Sequence, residues 1–301
     1  MRKVTPEEQN QKLEDLLIYL RDQRGFDFTS YKRGTLCRRI SRRMQDVNVD
    51  DFDDYRDFLE VHPDEFHLLF DTILINVTSF FRDPPAWNFV AEEIIPRMLD
   101  LRRADDTIRV WCAGCASGEE AYTIGMLLAE ALGADFVDQV KIYATDIDED
   151  ALSQARHGTY PVQRLHPVPE GLRDKYFTYS DGDSQAAVIP ELRRVAVFGR
   201  HDLIEDSPIS RLDLLICRNT LMYFNRETQD RTLSRFHFAL KANGVMFLGR
   251  AEMLLAHGDL FTPIQVKHRL FAKLSVPVQL GPPRRPRTLF LQLTKPARWR
   301  R

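Results

Sequence analysis

The chain has 301 residues, 44% of them hydrophobic and 29% charged, with a formal net charge of −2. Those values fit one or two globular domains and exclude a generally basic, nucleic-acid-like surface, though not a local basic patch. No apolar run reaches the ~18 residues that a bilayer-spanning helix needs, and no signal-type apolar region opens the chain, so a cytoplasmic location is expected.

Residues 1–75 carry helical periodicity, with Leu13, Leu16, Leu17 and Leu20 on one face. In a helix expected over 35–44, Leu36, Ile40 and Met44 make an apolar stripe. Arg38, Arg39, Arg42 and Arg43 take the other side, with no acid between Phe28 and Gln45. Like charges at i,i+4 cost a few tenths of a kcal/mol each. The face is either solvated or meets an acidic partner, and the missing acids favour the partner. Two short helices follow at 51–59 and 64–74. Asn76-Val77-Thr78-Ser79-Phe80-Phe81-Arg82-Asp83-Pro84 reads as a linker whose phenylalanines tuck against something, and Pro84 and Pro85 should stop any helix there. A helix over 87–101 leads to the centre of the chain.

That centre is residues 108–128, IRVWCAGCASGEEAYTIGMLL. A buried strand, a turn of small residues and a helix opening at Glu119 make the ligand-binding edge of an α/β sheet. Gly114 and Gly118 suit a tight turn that a ligand approaches closely. The spacing is not the G-x-G-x-x-G dinucleotide fingerprint. Glu119 and Glu120 would repel a pyrophosphate and attract a cation, as in S-adenosylmethionine, which carries a sulfonium and an ammonium. The plainer reading is that they complement the helix dipole. KIYATDID is a second strand ending at Asp146, where a carboxylate can accept both ribose hydroxyls or merely begin a turn.

Asp148 can cap a helix over 149–156. Residues 158–198 break the strand–helix rhythm and read as a small antiparallel insertion with a helix near 170–176, its apolar runs at 187–189 and 195–198. LDLLIC at 212–217 is a buried strand ending in Arg218-Asn219. A helix over 227–241 stops at Asn243-Gly244, and strands are expected at 245–248 and 269–274. Residues 275–301 hold seven Lys or Arg and no acid, a basic, Pro-containing tail assigned no structure. Cys112 and Cys115 have C-x-x-C spacing, but Cys37 and Cys217 bring no partner motif, so small buried residues are preferred over a metal or redox site and no metal is expected.

NVTSFFRDP, CAGCASGEEAYTI, ATDID, His201-Asp202-Leu203, CRNTLMYFN and FLGRAEML, in that order, resemble the CheR-type chemotaxis receptor methyltransferases over about residues 10–274. The resemblance implies transfer of methyl from S-adenosylmethionine to receptor glutamates, leaving S-adenosylhomocysteine. It also implies a Rossmann-like domain (76–274) with a small β-subdomain, preceded by an all-α domain (1–75). By resemblance, cofactor contacts fall on Asn76, Thr78, Arg82, Glu119, Asp146, Asp202, Leu203, Arg218 and Asn219, with Arg82 and Tyr223 lining the acceptor site. Ala121 replaces a frequent Pro, and Gly249-Arg250-Ala251-Glu252 the commoner Gly-His-Ser-Glu. The expected partner is the acidic cytoplasmic methylation region of a chemoreceptor, met by Arg38, Arg39, Arg42 and Arg43, with no nucleic acid, no membrane insertion and a monomeric enzyme. The competing readings are a non-catalytic cofactor-binding adaptor and an RNA or small-molecule methyltransferase.

Overall fold

A computed structural model describes residues 5–24, 26–74, 76–102, 106–180, 182, 184–252 and 259–274, so the basic tail at 275–301 lies outside the described residues. The first 73 residues supply four helices, α1 (Pro6–Arg24), α2 (Arg33–Asp46), α3 (Phe52–Val61) and α4 (Glu65–Ile73). The leucine face of α1 and the Leu36, Ile40 and Met44 stripe of α2 close on Tyr55, Leu59 and Leu69 as one buried cluster. Phe80 then inserts edge-on against Tyr160 and Phe177 at centroid distances of 5.1 and 5.5 Å, which anchors the linker as its aromatic content implied. Pro84 and Pro85 do not stop a helix. They begin α5 (Pro84–Phe89), because a proline at the first helical positions gives up only an N–H that has no intrahelical partner. One turn of π-helix, Val90–Ile94, joins α5 to α6 (Ile95–Asp100).

The remaining chain builds a seven-stranded sheet. Its strands are β1 (Ile108–Ala113), β2 (Val140–Asp146), β6 (Ala196–Arg200), β7 (Leu212–Cys217), β8 (Leu240–Leu248), β9 (Phe261–Gln265) and β10 (Leu270–Lys273). The order is β6-β2-β1-β7-β8-β10-β9, parallel from β6 to β8 and antiparallel through β10 and β9. The chain steps outward from β1 in one direction and later fills the other side with β7, so the strand order reverses between these neighbours. The crevice beyond their carboxyl ends is where ligands of such sheets bind. Helices α7 (Glu119–Leu132), α8 (Phe136–Gln139), α9 (Glu149–His157), α11 (Pro190–Val195) and α12 (Arg226–Ala239) connect these strands. Asp148 caps α9 through the N–H groups of Asp150 and Ala151.

The insertion is a separate three-stranded antiparallel sheet, β3 (Thr159–Pro161), β5 (Gln185–Val188) and β4 (Phe177–Tyr179), with α10 (Glu170–Tyr176) before β4. The apolar run at 195–198 is not part of it. It pairs with β2 as the edge strand of the main sheet, which its short length and local pattern could not distinguish. The expected stop at Asn243-Gly244 is also displaced. Helix α12 ends at Ala239 and β8 runs through both residues, with a register shift opposite β7 that accommodates them. Among the described residues no helix is long and apolar enough to cross a membrane.

Candidate active site

A cavity of about 260 Å³ opens at the carboxyl ends of β1, β2 and β7, and the helical domain and linker form its other wall. From β1 the chain turns at Gly114, at φ 77°, where a Cβ would lie 2.3 Å from the Thr220 hydroxyl oxygen. Ala116 also holds a positive φ of 45°, an uncommon conformation for a residue with a side chain, and its N–H donates to Asp146 Oδ2 at 2.8 Å. Gly118 does not line the cavity. Its φ of 92° and the 2.8 Å that would separate a Cβ from Ala155 make it a packing requirement of the turn.

The two adjacent glutamates point apart. Glu119, expected among the cofactor contacts, is fully buried away from the cavity. It accepts from Ser117 Oγ at 2.7 Å and from Arg164 Nη1 of the insertion at 3.0 Å. Glu120 is the one that lines the cavity. Burial raises its carboxyl above the ordinary value, against the pull of Arg218, whose Nη1 lies 3.2 Å away. The arrangement follows from helical geometry, since successive residues at a helix start project about 100° apart.

Asp146 ends β2 at the cavity wall, as its sequence position implied. Burial raises its carboxyl, and the N–H groups of Ala116 and Asp148 oppose that by donating to it, one to each oxygen. A carboxylate oxygen can accept more than one bond, so both keep capacity for a ligand diol. Asp202 Oδ1 accepts the N–H of Ile204 at 2.7 Å and fixes the loop that presents Asp202 and Leu203 to the same cavity. Asn76 and Thr78 enter from the linker, where the Asn76 amide donates to Asp148.

Arg218 is 6% exposed and already engaged. Its Nη2 lies 2.6 Å from Asp83 and its guanidinium sits 4.7 Å from the Phe247 ring centre. Its charge is therefore spent on two carboxylates, and it acts as a brace between linker, α7 and β7 more than as a free ligand group. Asn219, at φ 63°, carries a buried Oδ1 with no partner among the described residues. An orphaned acceptor at a cavity wall is what a bound donor would satisfy. Arg82 donates to the Val77 carbonyl at 2.9 Å and keeps its remaining N–H groups for the cavity. Tyr223 completes the wall from a 3-10 turn, Leu221–Tyr223.

Three residues of the site were not singled out by sequence. Glu252 accepts the N–H groups of Thr220, Leu221 and Gly249 at 2.9, 2.8 and 2.6 Å and so sets the loop after β7. Its motif was visible, but its role as a backbone organiser was not. His201 stacks edge-on against Trp111 and lines the cavity beside Asp202, and Tyr31 reaches in from the helical domain. Nothing in the local pattern around Tyr31 distinguishes it from a core aromatic.

The arginine face of α2 also needs correcting. Arg43 forms a bidentate pair with the buried Glu65, both contacts at 2.6 Å. Burial alone would raise the Glu65 carboxyl, but Arg43 and the Tyr55 hydroxyl bring it below its ordinary value. Arg39 is buried, donates to the Ile73 carbonyl and lies under Tyr223. The closer compensating acid for Arg43 comes from α4, more than twenty residues away in sequence, and Asp46 of its own helix adds a looser contact at 3.6 Å, just past the stretch counted as free of acids. Only Arg38 and Arg42 remain exposed.

Cys112, Cys115 and Cys217 are fully buried, and burial pushes all three thiols well up. No cluster of three or more metal-ligating side chains occurs among the described residues.

The cavity suits S-adenosylmethionine better than a phosphate-bearing cofactor. The carboxylates of Asp146 and Glu120 line it as acceptors suited to ribose hydroxyls and an ammonium, and the Arg218 guanidinium is already paired with Asp83 and Glu120.

Comparison with known proteins agrees. Residues 76–270 match the family described as CheR methyltransferase, SAM binding domain, and residues 11–74 match its all-alpha domain. An uncharacterised 104.1 kDa protein of Rhodobacter capsulatus is 39% identical over 82% of this chain, which spans only 26% of that protein. The chemotaxis protein methyltransferase 2 of Pseudomonas aeruginosa is 34% identical, covering 76% of this chain and 81% of its own. The chemotaxis protein methyltransferase of Borreliella burgdorferi is 32% identical, covering 78% and 86%.

Proposed function

The chain belongs to the CheR methyltransferase family and uses S-adenosylmethionine as its cofactor, and from that premise we propose that it methylates glutamate carboxylates of chemoreceptors in chemosensory adaptation. The chemotaxis methyltransferases it resembles support the pathway. The observation that carries the substrate class is the meeting of Arg82 and Tyr223 in the cavity that also holds Asp146 and Asp202. A cation and a phenol hydroxyl together suit an anionic, oxygen-bearing acceptor.

S-adenosylmethionine supplies the electrophilic methyl group. Asp146 would accept the ribose hydroxyls, Asp202 the adenine amino group, and Glu120 would balance the ammonium. Arg82 would pair with an incoming carboxylate, and the Tyr223 hydroxyl would donate to it. A glutamate side chain has a reference pKa of about 4.3 and is ionised near neutrality, so no general base is needed. The residues act by holding the nucleophile in line and keeping water out, effects that supply on the order of 7–11 kcal/mol in well-oriented systems. Exposed Arg38 and Arg42 on α2 draw the acidic receptor surface toward the crevice.

Labelled methyl transfer to receptor-bearing membranes tests the reading. The expected product is protein-bound label released by mild base as methanol, the signature of an ester. Base-stable label, or label on RNA in place of protein, would overturn it.

A further inference from the structure

We propose that Arg39 is a positioning residue for Tyr223, which makes the helical domain part of the apparatus for the chemical step. The inference rests on the reading that the Tyr223 hydroxyl faces the methyl acceptor.

Arg39 is 9% exposed and sits on the inner side of α2. It makes no ion pair among the described residues, whereas Arg43, one turn on, is paired with Glu65. A buried guanidinium without a carboxylate is unfavourable unless something else meets its charge. Two groups do. Its Nη1 donates to the carbonyl of Ile73, the last residue of α4, where the helix leaves acceptors unsatisfied and its dipole is negative. Its guanidinium carbon lies 4.7 Å from the centre of the Tyr223 ring, within the range of a cation–π contact.

The tyrosine needs that support. Its hydroxyl has no hydrogen-bond partner among the described residues, so nothing at the reactive end fixes the ring. What fixes it comes from the helical domain. The Lys32 N–H donates to the Tyr223 carbonyl at 2.9 Å, and Lys32 Nζ to the Met222 carbonyl at 2.7 Å. Tyr31 pairs with Phe224 in an antiparallel bridge, their rings edge-to-face at 5.2 Å. These contacts hold the backbone of the turn, and Arg39 holds the ring itself. Through Ile73 the same guanidinium touches the end of α4, just before the segment bearing Asn76, Thr78 and Arg82. One side chain thus joins the ring of Tyr223 to the end of the helix that leads into the linker.

The test is a double-mutant cycle on the full chain, read as single-turnover methyl transfer to receptor-bearing membranes. S-adenosylhomocysteine affinity and thermal midpoint are recorded for each variant. Arg39→Gln should lower the rate about tenfold, with KM for receptor and cofactor affinity within about twofold. In a Tyr223→Phe background, where the ring remains but the hydroxyl is gone, the same substitution should cost less than about twofold. Arg39→Lys keeps a cation over the ring and should stay within about threefold of wild type, which guards against a Gln variant that folds poorly. Equal losses in both backgrounds would make Arg39 a merely structural residue and overturn the proposal. A loss confined to receptor KM would make it a substrate contact and overturn the proposal equally. Full activity of Tyr223→Phe alone would instead strike the assignment of Tyr223, and this proposal with it.

Discussion

The two ends of the crevice are built in different ways. The cofactor end is made of strand termini. Gly114 and Ala116 lie in the turn that leaves β1, and Asp146 ends β2; the two strands are parallel neighbours whose register is fixed by the ladder from Ile108↔Val140 to Ala113↔Thr145. Side chains there are placed by backbone that could hardly lie elsewhere. The end assigned to the acceptor has no such frame. Arg82 comes from the linker, Tyr223 from a single 3-10 turn and Arg39 from a helix of the other domain, so three separate segments of chain place them. A sheet edge thus gives a site whose parts are hard to move separately. A junction of three segments gives one whose geometry depends on domain packing.

Substitutions should separate these two modes. The largest effect is expected at the brace between them. Arg218→Met strands the buried carboxylate of Glu120 and leaves Asp83 with Arg250 alone, and should cost about 3–5 kcal/mol of stability by chemical denaturation. A loss under about 1 kcal/mol would mean the pair is solvated and the brace imaginary. Next, Asp146→Ala should weaken S-adenosylhomocysteine by about 1.5–3 kcal/mol in calorimetry, with receptor KM unmoved.

The same carboxyl sets a pH dependence. Because burial raises the folded Asp146 pKa, it takes up a proton on acidification before an ordinary aspartate would. Cofactor affinity should therefore start to fall above the usual Asp range. Stability responds in the opposite sense. For a carboxyl whose folded pKa lies above the unfolded one, as with Asp146, Glu120 and Glu252, the folded state binds the proton more tightly. These groups favour folding as pH drops from the raised folded value to the unfolded one, and the contribution is lost as pH rises back through the folded pKa.

Smaller effects belong to the periphery. Reversing Arg38 and Arg42 to Glu should raise receptor KM several-fold, on the order of 1 kcal/mol, and the penalty should shrink as salt shortens the Debye length below about 8 Å. Cofactor affinity should not respond. Least of all, Glu119→Gln should leave cofactor affinity within about twofold, since that side chain faces Ser117 and Arg164. A tenfold loss would return Glu119 to the cofactor site.

The same contrast explains how much of the molecule is legible in its sequence. Gly114, Asp146, Asp202 and Asn219 are legible because strand-end motifs are contiguous and their turn chemistry is local. The family resemblance carries Arg82 and Tyr223, which no spacing rule would join. Glu119 and Glu120 cannot be told apart, because a helix start turns neighbours to different sides and only tertiary packing decides which side is the cavity. The arginines of α2 mislead for a related reason. Glu65 compensates Arg43 from another helix, and Arg39 is satisfied by a carbonyl and a ring, neither of which appears in a count of charges. Pro84 reads as a stop because the same missing N–H that ends a helix also suits its first turn. The run at 195–198 is too short to reveal which of two sheets it joins.

The most direct test of the division between the two ends is Tyr223→Phe, followed by calorimetric affinity for S-adenosylhomocysteine and single-turnover transfer to receptor-bearing membranes. The expected result is an unchanged affinity and a rate lower by about tenfold to a hundredfold, as one donor to a reacting oxygen is lost. An undiminished rate, or a loss of cofactor affinity that matches the loss of rate, would contradict it.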